Sequence, residues 1–133
     1  MVYANPELPP LKIVLIEDSW RLREELSNVL GKLGGVNVVG EAEDEHSALD
    51  LLQTQQPDLA IVDLQLRAGS GLGVLQAISQ SPERFGHLRA VVFSSHGHLL
   101  IRERCIALGA ERYFDKATET EDLLAYVRQA IPS

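Results

Sequence analysis

The chain has 133 residues, 45% hydrophobic and 23% charged, a composition of one ordinary globular domain large enough to bury a core. A formal net charge of −7 argues against the basic face of a nucleic-acid binder, and no apolar run approaches the length of a membrane span. One cysteine, Cys105, excludes an internal disulfide and points to a reducing, cytoplasmic setting, while "MVYANPELPP" lacks the basic and apolar blocks of a signal peptide.

Residues 1–10 carry three prolines and read as an extended lead-in to a single domain over 11–133. The first apolar run, "LKIVLI" (11–16), is continuous rather than alternating, as in a strand buried on both faces. Leu22, Leu26, Val29, Leu30 and Leu33 then recur at helical spacing until Gly34 and Gly35. A second strand, "VNVVGEA" (36–42), is followed by a helix carrying Ala48, Leu51 and Leu52, which Pro57 stops; "EAEDE" (41–45) reads as a solvated loop and helix start. The third strand lies in "PDLAIVDL" (57–64), and its helix carries Leu72, Leu75 and Ile78 up to Pro82. The fourth is "LRAVVFSS" (88–95), before a helix with Ile101, Cys105 and Leu108 that closes at Gly109. The fifth is "ERYFDK" (111–116). The last helix opens at Thr118, where Glu121 would complete a capping box, and runs through Leu124, Val127 and Ile131.

Five strands, each followed by a helix, predict an α/β domain: a doubly wound, five-stranded parallel sheet of order 2-1-3-4-5, the flavodoxin-like arrangement. Ligands in such sheets bind at the carboxyl ends of the strands, near the point where the winding reverses. Strand one closes on Glu17 and Asp18, strand three on Asp63, strand four on Ser94 and strand five on Lys116. Strands one and three are neighbours in this order, so Asp18 and Asp63 should face one crevice. Two unit charges about 4 Å apart repel by roughly 4 kcal/mol at an effective dielectric near 20. Carboxylates so crowded call for a hard cation, and a small all-oxygen set suits hydrated Mg²⁺. With Lys116 and the Ser94 hydroxyl added, the constellation is one for phosphoryl transfer.

The motifs "LIEDS", "IVDLQLRAGSG", "VVFSS" and "LGAERYFDK" occur in order, with Asp63 45 residues after Asp18 and Lys116 22 after Ser94. In these the chain resembles the response-regulator receiver domain of two-component signalling, from about Leu11 to Ile131. The resemblance implies that Asp63 accepts a phosphoryl group from a sensor histidine kinase, a histidine phosphotransfer protein or a small-molecule donor. It implies Asp18 as a direct Mg²⁺ ligand, Glu17 as an acid reaching the metal through water, and Gln65 as donor of a backbone carbonyl. Lys116 would pair with the phosphoryl oxygens, Ser94 would be the switch hydroxyl, and Tyr113 the aromatic that swings inward when that hydroxyl moves. A downstream protein would read residues about 98–131. On this view the chain acts without a covalent output domain, binds no nucleic acid directly, and enters no membrane.

The chain departs from the receiver pattern at four positions. Arg67 and Ala117 stand where prolines are usual, Ser94 where threonine is common, and His96 at a variable position that tunes dephosphorylation. The Ala117 change predicts a differently shaped exit from strand five. Alternatives are a receiver cut from a longer regulator, a pseudo-receiver that binds partners without phosphorylation, and a phosphatase or flavin carrier of the same fold. Against the last two, no Ser/Thr-rich loop follows strand one, and Gln65 stands where a phosphatase would need a second acid. The "HGH" stretch, His96 to His98, has no further histidine or cysteine at ligand spacing.

Overall fold

The continuous apolar runs become strands because each is covered from both sides. In the computed structural model, which describes residues 8–95 and 97–133, they are β1 (Leu11–Ile16), β2 (Val36–Ala42), β3 (Leu59–Val62), β4 (Arg89–Ser94) and β5 (Tyr113–Asp115). All pairings are parallel, in the order β2-β1-β3-β4-β5, as the sequence predicts. The helices are α1 (Trp20–Gly31), α2 (Glu45–Gln55), α3 (Gly71–Gln80), α4 (Leu99–Ala107) and α5 (Thr120–Ala130), with a 3₁₀ turn at Pro82–Arg84.

The strands' two-residue period divides the core into two layers. Ile13, Leu15, Leu59, Ile61, Val91 and Phe93 face α1 and α5, whose Leu26, Leu30, Leu123 and Val127 complete that layer. Val14, Ile16, Val62 and Val92 face the other way, against Ala48 and Leu52 of α2, Val74 and Leu75 of α3, and Cys105 of α4. Each fully buried aliphatic side chain contributes roughly 1.5–3 kcal/mol, so the sheet is a rigid floor for whatever its carboxyl ends carry.

Strands three to five are shorter than their apolar runs, and at both ends of β3 side-chain polar groups enter the ladder. Before β3, Asp58 turns its carboxylate onto the Lys12 amide (2.8 Å). After it, the Asp63 amide still bonds the Ile16 carbonyl (2.8 Å), but the Leu64 amide turns to the Ser94 hydroxyl (3.4 Å). Ser19, Asp44 and Ser70 cap α1, α2 and α3 through their side chains. The capping box expected at Thr118 and Glu121 does not form. Helix α5 starts at Thr120, and the Glu119 carboxylate at its N-cap accepts from the Asp115 amide (3.0 Å) instead of from its own helix.

One glycine fixes the path of the chain out of β3. A Cβ at Gly71 would fall 2.2 Å from the Asp63 carbonyl oxygen, a backbone atom with little room to yield. Gly31, at the end of α1, has nothing within 4 Å of the same position. Gly71→Ala is therefore expected to lower stability to urea by about 1–3 kcal/mol. Gly31→Ala should leave it unchanged or raise it by up to about 1 kcal/mol. Equal effects of the two substitutions would contradict this packing.

Candidate functional site

Two side chains at the ends of adjacent strands are buried although they are acids: Glu17, following β1, is 3% exposed and Asp63, following β3, is 5% exposed. Their backbones are held in the sheet, Glu17 through the Ala42 carbonyl (2.9 Å) and Asp63 through that of Ile16 (2.8 Å), so neither can withdraw to solvent. Asp18, next in the chain, is exposed, yet one carboxylate oxygen from each of Glu17, Asp18 and Asp63 lies within 4.8 Å of the others. The expected convergence of Asp18 and Asp63 is thus present, with Glu17 as the deeper member of the pair that closes β1.

Lys116, just past β5, reaches into this cluster. Its Nζ donates to Glu17 Oε1 at 2.5 Å and to Asp63 Oδ2 at 2.8 Å. Ser94, the last residue of β4, donates its hydroxyl to Asp63 Oδ1 (2.6 Å), and the Gln65 amide approaches the same oxygen (3.3 Å). Both Asp63 oxygens are therefore engaged by hydrogen-bond donors. Glu17 Oε2 accepts from the Ser19 amide (3.0 Å), and Arg23 of α1 donates to the Glu17 carbonyl (2.6 Å) while also pairing with Glu41 (3.2 Å). Arg23 was not expected at the site. Its place one turn after the Ser19 cap is the signal in the sequence.

Burial pushes the Glu17 carboxyl up to about 7, with Asp18 and the Asp63 charge adding to the rise against the Lys116 and Ser19 bonds. Burial pulls the Lys116 ammonium down, but its bonds to Asp63 and Glu17 and their charges outweigh that, and its pKa is raised. Three acids against one ammonium leave an excess of negative charge among oxygen donors only. Two of these donors are buried and one faces solvent. That set fits a hard divalent ion that keeps part of its water, Mg²⁺ above all.

Tyr113 of β5 is 8% exposed, its hydroxyl 3.5 Å from the Ser95 carbonyl and its ring 4.6 Å beneath the Arg102 guanidinium. Arg102 also donates to the Gly97 carbonyl (2.8 Å) and lies near Glu119 and Asp115. The exit loop from β5 is tied by its own acid, since Asp115 Oδ1 accepts from the Ala117 amide (2.7 Å), and the described residues contain no cis peptide bond. Arg67 pairs with Glu43 (3.3 Å). Among the described residues no metal-type cluster includes His98, and His96 lies outside them.

The profile of the response regulator receiver domain matches residues 13–128. The chain belongs to that family. The nitrate/nitrite response regulator protein NarL of Escherichia coli is 31% identical over 121 residues, 91% of this chain and 55% of the relative. Sporulation initiation phosphotransferase F of Bacillus subtilis is 24% identical over 91% of this chain and 94% of its own length. The solved signal receiver domain of a Mycobacterium tuberculosis NarL superposes with a TM-score of 0.83 at 27% identity, covering 93% of this chain and 98% of that one. The chain spans about half the length of the NarL relatives it matches. No helix among the described residues is long and apolar enough to cross a membrane.

Glu17 yields a pH test of the receiver pocket. The unfolded carboxyl ionises near 4.5 and the folded one near 7, so in between the folded chain holds the extra proton. Stability of the metal-free protein is expected to fall by about 1–3 kcal/mol as pH rises through that window. Below it the loss is absent. Glu17→Gln should flatten this part of the curve in urea unfolding; parallel curves for the two proteins would show that Glu17 is not the group.

Proposed function

We propose that this receiver is a Mg²⁺-dependent phospho-accepting switch, with Asp63 taking a phosphoryl group from the phosphohistidine of a sensor kinase or phosphotransfer protein, or from a small-molecule donor. The observation that carries the reading is the pair of donors on Asp63: the Lys116 ammonium on one oxygen and the Ser94 hydroxyl on the other, beside an acidic cluster. In the transfer, an Asp63 oxygen forms a bond to phosphorus as the bond from phosphorus to the histidine nitrogen breaks. The imidazole leaves with the electron pair and takes up a proton. Bound at Asp18, Asp63 and the Gln65 carbonyl, with Glu17 joined through water, Mg²⁺ would offset charge on the transferring group.

The chain's own residues account for the rest. The rigid β3 end holds the Asp63 carboxylate in place for attack, which spares the entropy of locating it. Lys116, already within bonding distance of the acceptor, is placed to follow the charge onto the phosphoryl oxygens. Ser94 is placed to exchange its bond to Asp63 for one to the same group. The burial of Tyr113, with its hydroxyl 3.5 Å from the Ser95 carbonyl, supports a part for it in the switch beside Ser94. New bonds worth a few kcal/mol are enough to shift such a two-state balance.

The readout runs through residues about 98–131, by docking on another protein. Helix α4 supports this, because Leu99 and Leu100, adjacent in its first turn, are 69% and 72% exposed. The lead-in at 1–10 and the receiver at 11–133 form the proposed division of the chain. Its setting is the cytoplasm.

Acetyl phosphate with Mg²⁺ is expected to add one phosphoryl group to the wild type, read by intact mass, and none to Asp63→Asn. Lys116→Ala should slow labelling on the order of tenfold or more. Equal labelling of wild type and Asp63→Asn would remove Asp63 as the acceptor.

A further inference from the structure

The loop between β3 and α3 must hold Gln65 beside Asp63, yet its own sequence does little to stiffen it. Residues 63–70 contain no proline, and Gly69 stands at φ +73°; Gly71 and Gly73 follow in the first turn of α3. Its shape is imposed from the neighbouring connection instead. The Arg67 amide donates to the Glu43 carbonyl, the Glu45 amide donates to the Ala68 carbonyl, and the Ser70 amide donates to Glu45 Oε1, each at 3.0 Å.

Glu45 is more than a solvated acid at a helix start. It is half-buried, and it fills space that two glycines leave free. A Cβ at Gly73 would fall 2.1 Å from Glu45 Oε1, and one at Gly69 would fall 2.6 Å from Glu45 Cβ. The residue that Glu45 holds is connected directly to the pocket. Ser70 pairs with Gln65 in an antiparallel bridge, the Gly71 amide bonds the Leu64 carbonyl (3.0 Å), and the Gln65 amide bonds Asp63 Oδ1 (3.3 Å). Ser70 also caps α3 through its hydroxyl, so its position sets both the helix and the loop.

We propose that Glu45 is a positioning residue: through Ser70 it holds the β3–α3 loop in the shape that presents Gln65 to the cation site beside Asp63. This rests on the Mg²⁺ reading above. Glu45 does not belong to the acidic cluster, so it acts through the loop's shape. The bond requires an acceptor oxygen, which glutamine also supplies, whereas a favourable charge on the α2 dipole requires the negative charge. The two roles therefore separate at one substitution.

The test is Mg²⁺ titration by calorimetry, with amide hydrogen exchange at Ser70 and urea unfolding alongside. Glu45→Ala is expected to weaken Mg²⁺ binding about tenfold and to speed exchange at Ser70, as loss of an outer support of a metal site does. Glu45→Gln should stay close to wild type in both. Gly73→Ala, which displaces the carboxylate, should behave like Glu45→Ala. Unchanged Mg²⁺ binding in Glu45→Ala, whatever its effect on urea unfolding, would overturn the proposal, as would a Glu45→Gln protein as impaired as the alanine variant. A wild type indifferent to Mg²⁺ would overturn both this inference and the reading beneath it; a wild type that binds beside an unaffected Glu45→Ala removes the inference alone.

Discussion

The Lys116 ammonium lies between Glu17 and Asp63, two carboxylates that the sheet holds out of solvent. Burying one unpaired carboxylate costs several kcal/mol, and placing a second beside it adds their repulsion. A single lysine offsets part of this and leaves the cluster short of positive charge. A site with that deficit favours a cation, and burial, with the neighbouring acids adding to it, raises the Glu17 carboxyl to about 7. Such an arrangement lowers stability, and the two-layered core is what tolerates it.

The geometry is built from far-separated parts, each placed for a local reason. β1 and β3 bring the acids together because their continuous apolar runs pack as central neighbours. β4 and β5 deliver Ser94 and Lys116 from the same edge of the sheet. The loops add the final adjustment: Gly71 lets the chain pass against the Asp63 carbonyl, and Asp115 and Glu119 shape the exit from β5 where no proline does so. Membership of the receiver family agrees with all of this and was decided by an independent match over residues 13–128.

Much of this was legible in the residues alone. The strand order followed from alternating runs and helical stripes, and the convergence of Asp18, Asp63 and Lys116 followed from strand ends in that order. Features that depend on tertiary neighbours were not legible. Thr118 and Glu121 have the spacing of a capping box, but Glu119 is drawn to the Asp115 amide and Arg102, and the helix starts later. Glu45 looked like one acid in a solvated run because the glycines that enclose it lie 24 and 28 residues further on. Trp20, two residues past Asp18, is 65% exposed at the first turn of α1.

The central requirement is that a divalent ion is held where the ends of β1 and β3 meet. Titrating Mg²⁺ into the wild type and Asp18→Ala, followed by Trp20 fluorescence, addresses it most directly. The expected result is saturable quenching or enhancement in the wild type, and binding weakened by about tenfold or more when the exposed carboxylate is removed. Identical titrations for the two proteins, or no response in a wild type that calorimetry also finds silent, would contradict a cation site at this position.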